Sequence, residues 1–134
     1  MARFMNNKMT ETQLMDNGLP HNLHNPYQGK YKRVLCVCTG GILRSATAAW
    51  WLGRGDYNTR ACGLRSDVSL VPISRRLLEW PDKIICFEAW HLNTLRALTD
   101  KPIYCLGIED GYEYRDKVLI RLIEDRLRET GFYQ

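Results

Sequence analysis

The chain contains no apolar run approaching the ~20 residues that a membrane-spanning helix needs. Its first thirty residues have no apolar core of the kind a secretory signal carries. A cytoplasmic location is the default expectation. The five cysteines are odd in number and never spaced Cys-x-x-Cys, so they announce neither a paired disulfide framework nor a zinc site. Histidine is scarce, and His21, His24 and His91 lack ligand spacing, so no metal is expected. Blocks of like charge are missing too. The net charge of +4 comes from Lys and Arg spread along the chain, which favours small anions slightly and is too weak and too diffuse to argue for a nucleic-acid partner. There is no internal repeat and no low-complexity stretch.

What is present is one domain's worth of residues: 134 in all, 45% hydrophobic and 25% charged, an ordinary globular balance. Residues 1–30 are polar, rich in Asn and Met and without a sustained period, and read as a mobile extension or a loosely attached arm. Residues 31–134 read as the domain. Residues 31–37 form a short β-branched apolar run of the type found in buried parallel strands. Further strands are expected over 57–62, 82–87 and 102–106. Between them, helical faces are expected at Ala46, Ala49 and Trp50, then at Ile73, Leu77 and Trp80, then at Leu92, Leu95 and Leu98. Leu119, Leu122, Ile123 and Leu127 give the clearest amphipathic helix. Strands alternating with helices predict an α/β domain with a parallel sheet covered on both faces. In such sheets ligands bind at the carboxyl ends of strands, near a switch point in strand order.

The first strand runs straight into Cys38-Thr39-Gly40-Gly41-Ile42-Leu43-Arg44-Ser45. Glycines at 40 and 41 let the backbone turn tightly, so that successive N–H groups can form an anion-binding nest. A helix opening near Arg44 aims its positive end at the same point. Arg44 offers a planar fork for two phosphate oxygens. Helix N-termini and cationic neighbours favour the thiolate form of a cysteine, so Cys38 is the candidate nucleophile, with Ser45 placed to donate a hydrogen bond to it. Dipoles that hold phosphate also suit the equatorial oxygens of a phosphoryl group in transfer. Cys36, two residues earlier, shares the side of Cys38 and is expected in the core, as are Cys62, Cys86 and Cys105. The four tryptophans lie on or beside the expected helices and read mostly as buried or half-buried anchors.

The segment Val34-Leu-Cys-Val-Cys38-Thr-Gly-Gly-Ile-Leu-Arg44-Ser45-Ala-Thr-Ala resembles the signature of the low-molecular-weight protein tyrosine phosphatases, typically VLFVCxGNxCRSPxAE. The likeness extends over roughly residues 31 to 130. It takes in Arg60-Ala-Cys-Gly63 and Tyr104-Cys-Leu-Gly-Ile-Glu-Asp-Gly-Tyr-Glu-Tyr114, the latter similar to a small bacterial and phage branch. Three positions depart from the signature: the loop asparagine is Gly41, the second loop cysteine is Leu43, and the proline after Ser45 is Ala46. The resemblance implies a three-layer α/β/α fold with a four-stranded parallel sheet of order 2-1-3-4. It also implies cysteine-dependent hydrolysis of a phosphotyrosine-type ester through a phosphocysteine, with no cofactor.

In that family an Asp-Pro-Tyr loop before the last helix supplies the general acid. Asp110-Gly111-Tyr112 falls there, so Asp110 is the expected acid and Tyr112 a candidate wall. Asp116 is the rival, though it also fits a helix-start residue favoured by the dipole. The phosphate-binding set is then Thr39, Gly40, Gly41, Ile42, Leu43, Ser45 and Tyr112, with a phosphate or sulfate ion expected in the loop. The partner would be a phosphorylated protein or a small phosphate ester. Arsenate reductases of this fold relay oxidation through two further cysteines; Asn93 stands where the partner of Cys86 would be, so that relay is absent. Two other readings stay open: a phospho-ligand binding module with little turnover, and a phosphatase acting on a nucleotide or RNA phosphate.

Overall fold

The computed structural model describes residues 31–134; the expected extension over 1–30, with His21 and His24, lies outside the described residues. Strand β1 (Lys32–Cys38) is followed by α1 (Arg44–Gly53), β2 (Tyr57–Gly63), α2 (Arg75–Glu79), β3 (Lys83–Cys86), α3 (Ala89–Arg96), β4 (Ile103–Cys105) and α4 (Lys117–Glu129). All pairings are parallel, in the order β2-β1-β3-β4. The expected architecture is the one found.

Strand β1 lies between two strands and two helical layers, which explains its unbroken apolar run. Val34, Cys36 and Cys38 point into a core closed by Ala48 and Leu52 of α1 and by Leu119, Ile123 and Leu127 of α4. Leu35 and Val37 point the other way, into a core closed by Leu77 of α2 and Leu95 of α3. This period-two alternation puts α1 and α4 on one face and α2 and α3 on the other. The chain leaves β1 toward β2, then crosses to β3 on the opposite side. The loops after β1 and β3 therefore diverge and open a crevice at the switch point.

Several expectations of detail are corrected. On α1, Ala46, Ala49 and Trp50 are only half-buried, whereas Ser45, Ala48 and Leu52 are buried. The helix is phased by Arg44 and Ser45, polar residues that turn inward. On α3 the buried positions are His91 and Leu95; Leu98 follows the helix and is 54% exposed. The short α2 starts after Ser74, whose hydroxyl accepts from Leu77 N–H, so Ile73 and Trp80 flank the helix. Cys36, Cys62 and Cys86 are buried, but Cys105, on the edge strand, is only half-buried. Trp90 is 40% exposed. No helix among the described residues is long and apolar enough to cross a membrane.

Candidate phosphate-binding site

Cys38 ends β1, and its Sγ receives the Gly41 backbone N–H at 3.1 Å and stands 3.1 Å from Ser45 Oγ. Both contacts follow from the loop's path. Gly41 adopts φ +70°, and a Cβ there would come within 2.6 Å of Cys62 C and 2.7 Å of Gly63 N. Only glycine lets the chain fold back onto its own start. Where the resembling signature has asparagine, this chain has a glycine packed backbone against backbone, and the loop is tight at this point. Its carbonyls are held from outside: Leu64 N–H donates to Cys38 O at 2.9 Å and Arg65 N–H to Thr39 O at 3.0 Å. These bonds continue the β1–β2 ladder beyond the strands. A Cβ on Gly40 would make only ordinary contacts, with Val68 O at 3.8 Å and Ile42 Cδ1 at 3.9 Å.

Helix α1 begins at Arg44 with Leu43 at its N-cap, no side-chain cap bond and no acidic residue in its first turn. By contrast, Asp116 caps α4, its Oδ1 accepting from Val118 N–H at 2.7 Å and Leu119 N–H at 3.3 Å. The first-turn N–H groups of α1 are therefore not claimed by an anionic side chain, the arrangement that suits an incoming anion.

Arg44 is 1% exposed. Its Nη1 donates to Glu88 Oε2 at 2.6 Å and to the Ile108 carbonyl at 2.9 Å, and its Nη2 reaches Thr39 Oγ1 at 3.4 Å. Its Nε lies 3.8 Å from Asp110 Oδ1. Asp110 follows a segment stitched to the end of β3 and the residue beyond it, by Leu106 N–H donating to Cys86 O and Ile108 N–H to Phe87 O. That segment is tied to α1 further on, where Arg115 N–H donates to Thr47 Oγ1. The Asp110 carboxylate is mostly exposed and accepts from Gly111 N–H.

The structure thus brings together Cys38, Thr39, Gly41, Arg44, Ser45 and Asp110. Ile42 and Leu43 sit on the outer rim, 42% and 37% exposed. Tyr112 is half-buried against the core beneath α1 and α4, and no hydrogen bond or ring contact ties it to the loop. Asp116 serves as a helix cap.

Sequence reasoning missed Glu88 and His91. Glu88 is the N-cap of α3, and its carboxylate accepts from the His91 backbone N–H while His91 caps back onto Glu88. The signal was a carboxylate two residues after β3, at the switch point, followed three residues later by a polar partner in a capping-box spacing. His91 is fully buried. Its Nδ1 accepts the backbone N–H groups of Phe87 at 3.2 Å and Glu88 at 3.0 Å, and its Nε2 is 3.1 Å from Thr39 Oγ1. Burial, reinforced by the Arg44 charge, lowers its pKa to about 4, against smaller opposing effects from Glu88 and Asp110. Burial also raises the Cys36 and Cys62 thiols well above their ordinary range, so both remain neutral. Among the described residues no group of three or more His, Cys, Asp and Glu is arranged to hold a metal ion.

The fold and this loop together define a class: a doubly wound parallel sheet whose first crossover opens with a tight glycine loop and a buried arginine at the switch point. A solved structure, that of the tyrosine phosphatase AmsI of Erwinia amylovora, superposes with a TM-score of 0.60 over 77% of this chain and 93% of its own, at 16% identity. The fold is therefore that of a tyrosine phosphatase. No family model and no curated protein sequence matches the chain.

Proposed function

We propose that this protein is a cysteine-dependent phosphatase that hydrolyses phosphate monoesters of the phosphotyrosine type. The observation that carries the reading is the environment of Cys38 Sγ. One backbone N–H and one hydroxyl converge on it at 3.1 Å, at the mouth of an uncapped helix and beside a buried arginine. Sγ attacks phosphorus in line and an S–P bond forms as the ester P–O bond breaks. Asp110, two residues beyond the carbonyl that grips Arg44, gives its proton to the leaving oxygen. Water, deprotonated by the same carboxylate, then attacks phosphorus; the S–P bond breaks, releasing phosphate and the thiolate. Arg44 has Nη1 engaged with Glu88 and Ile108 and one Nη2 hydrogen with Thr39, so the Nε–H and the other Nη2 hydrogen form the edge offered to phosphate oxygens. The fold shared with a tyrosine phosphatase supports this assignment.

Ile42, Leu43 and Val68 present apolar surface around the loop, which suits an aryl phosphate on a protein or a small ester better than a nucleotide or RNA end. The test is hydrolysis of para-nitrophenyl phosphate by purified protein between pH 5 and 8, with EDTA present and Cys38→Ser alongside. EDTA-resistant turnover that vanishes in the variant supports the proposal. Binding of orthovanadate without turnover would make the loop a phospho-ligand reader, and failure to bind either vanadate or phosphate would sink the phosphate-site reading.

A further inference from the structure

We infer that His91 is a positioning residue for the phosphate loop, acting through the Thr39 hydroxyl on Arg44, so that the first turn of α3 sets the arginine from two directions. The inference rests on the phosphate-site reading above and adds a residue to it. Glu88 reaches Arg44 directly at 2.6 Å. Three residues on, His91 Nε2 reaches Thr39 Oγ1 at 3.1 Å, and that oxygen receives Arg44 Nη2 at 3.4 Å. The second and the seventh residues of the loop are thus both held by one helical turn, across the crevice at the switch point.

The tautomer is dictated by the backbone. Two N–H donors converge on Nδ1, which must therefore be bare, and the proton of the neutral ring sits on Nε2. Nε2 then donates to Thr39 Oγ1. With Arg44 Nη2 donating to the same oxygen, both of its lone pairs are occupied. The hydroxyl becomes a fixed acceptor that orients the guanidinium edge left free for an anion. The downward shift of the His91 pKa is consistent with a ring kept neutral throughout the working range. A histidine that merely filled the core would have no need of this one tautomer or of a partner on the loop.

The test is a double-mutant cycle with His91→Gln, Thr39→Val and the double variant, read as kcat/KM for para-nitrophenyl phosphate and as orthovanadate affinity. Each single change is expected to lose about tenfold, the scale of one well-placed hydrogen bond. The double variant is expected to lose little more than the worse single, because both remove the same link. Thr39→Ser should recover most of the loss of Thr39→Val. Nitrogen NMR of the His91 ring in wild type should show the Nε2–H tautomer at neutral pH. Multiplicative losses in the cycle, an indifferent Thr39→Val, or the Nδ1–H tautomer would each overturn the inference while the phosphate site stands. A wild type that binds neither vanadate nor phosphate would remove both.

Discussion

Gly41 and Gly63 face each other backbone to backbone. A Cβ on Gly41 would lie 2.7 Å from Gly63 N, and a Cβ on Gly63 would lie 2.6 Å from Gly40 C and 2.8 Å from Thr39 O. This seam joins the Cys38–Ser45 loop to the end of β2, and on the Gly41 side every atom that a Cβ would meet is backbone, with no flexible side chain to yield. Gly41→Ala meets both a left-handed φ of +70° and the backbone of Cys62. It is expected to cost on the order of 2–3 kcal/mol in stability and to weaken vanadate binding sharply, because the N–H on Cys38 Sγ moves with it. Gly41→Asn, which restores the residue of the resembling family, should do no better. Denaturant titration and vanadate affinity check this; a tight-binding Gly41→Asn protein of unchanged stability would refute it.

Asp110 and Asp116 separate two effects that the sequence alone leaves entangled. Asp116 accepts two backbone N–H groups at the start of α4, so Asp116→Ala should lower stability by about 1 kcal/mol and leave kcat for para-nitrophenyl phosphate within about twofold. Asp110 is mostly exposed and carries no comparable structural bond. Asp110→Asn should leave stability alone and reduce kcat by about a hundredfold or more. The loss should be smaller for a substrate whose leaving group needs no proton. Reversal of the two phenotypes would make Asp116 the acid.

The loop from Cys38 to Ser45 was legible because everything it needs is local: a spacing, two glycines, and a strand before it. The central strand was legible for a related reason, since burial on both faces writes an unbroken apolar run. The residues that hold the loop were not. Glu88 and His91 lie 44 and 52 positions from their partners, and only the crossover from β2 to β3 brings them together. The helix faces failed where polar residues take buried positions. Arg44 and Ser45 on α1 and His91 on α3 occupy the inward stripe, so an apolar period points to the wrong side. Leu98, in step with Leu92 and Leu95, falls beyond the end of the helix and into solvent.

Ser45 is fully buried with its hydroxyl directed at Cys38 Sγ. In the proposed mechanism sulfur is the leaving group of the second step, and a hydroxyl there would stabilise it as an anion. Ser45→Ala should therefore slow breakdown of the phosphocysteine more than its formation. Removing one preorganised donor costs roughly a hundredfold in comparable sites; a kcat loss of about tenfold to a hundredfold is expected, accompanied by a burst of para-nitrophenol and a trappable phosphoenzyme. Loss of kcat without a burst would place the role of Ser45 in the first step instead.

His91 also makes a prediction about stability. Its folded pKa is near 4 because burial and Arg44 disfavour the charged ring, whereas an unfolded histidine titrates near ~6.5. Between these values the unfolded chain binds the extra proton, so stability rises with pH across that window. The contribution is complete above about pH 6.5 and is lost as pH falls through 4, a change of roughly 3 kcal/mol. Protonation also places an N–H at Nδ1 opposite the backbone donors of Phe87 and Glu88, breaking the α3 cap that holds Arg44. The ring feels the charges of Arg44, Glu88 and Asp110. The measurement is therefore the difference in unfolding free energy between wild type and His91→Gln at successive pH values from 7 to 4, in which most carboxylate effects cancel. That difference should shrink steadily with acidity. A constant difference would mean that the ring carries its proton in the folded protein, or gains it without cost, and that its Nδ1 is not held by the backbone.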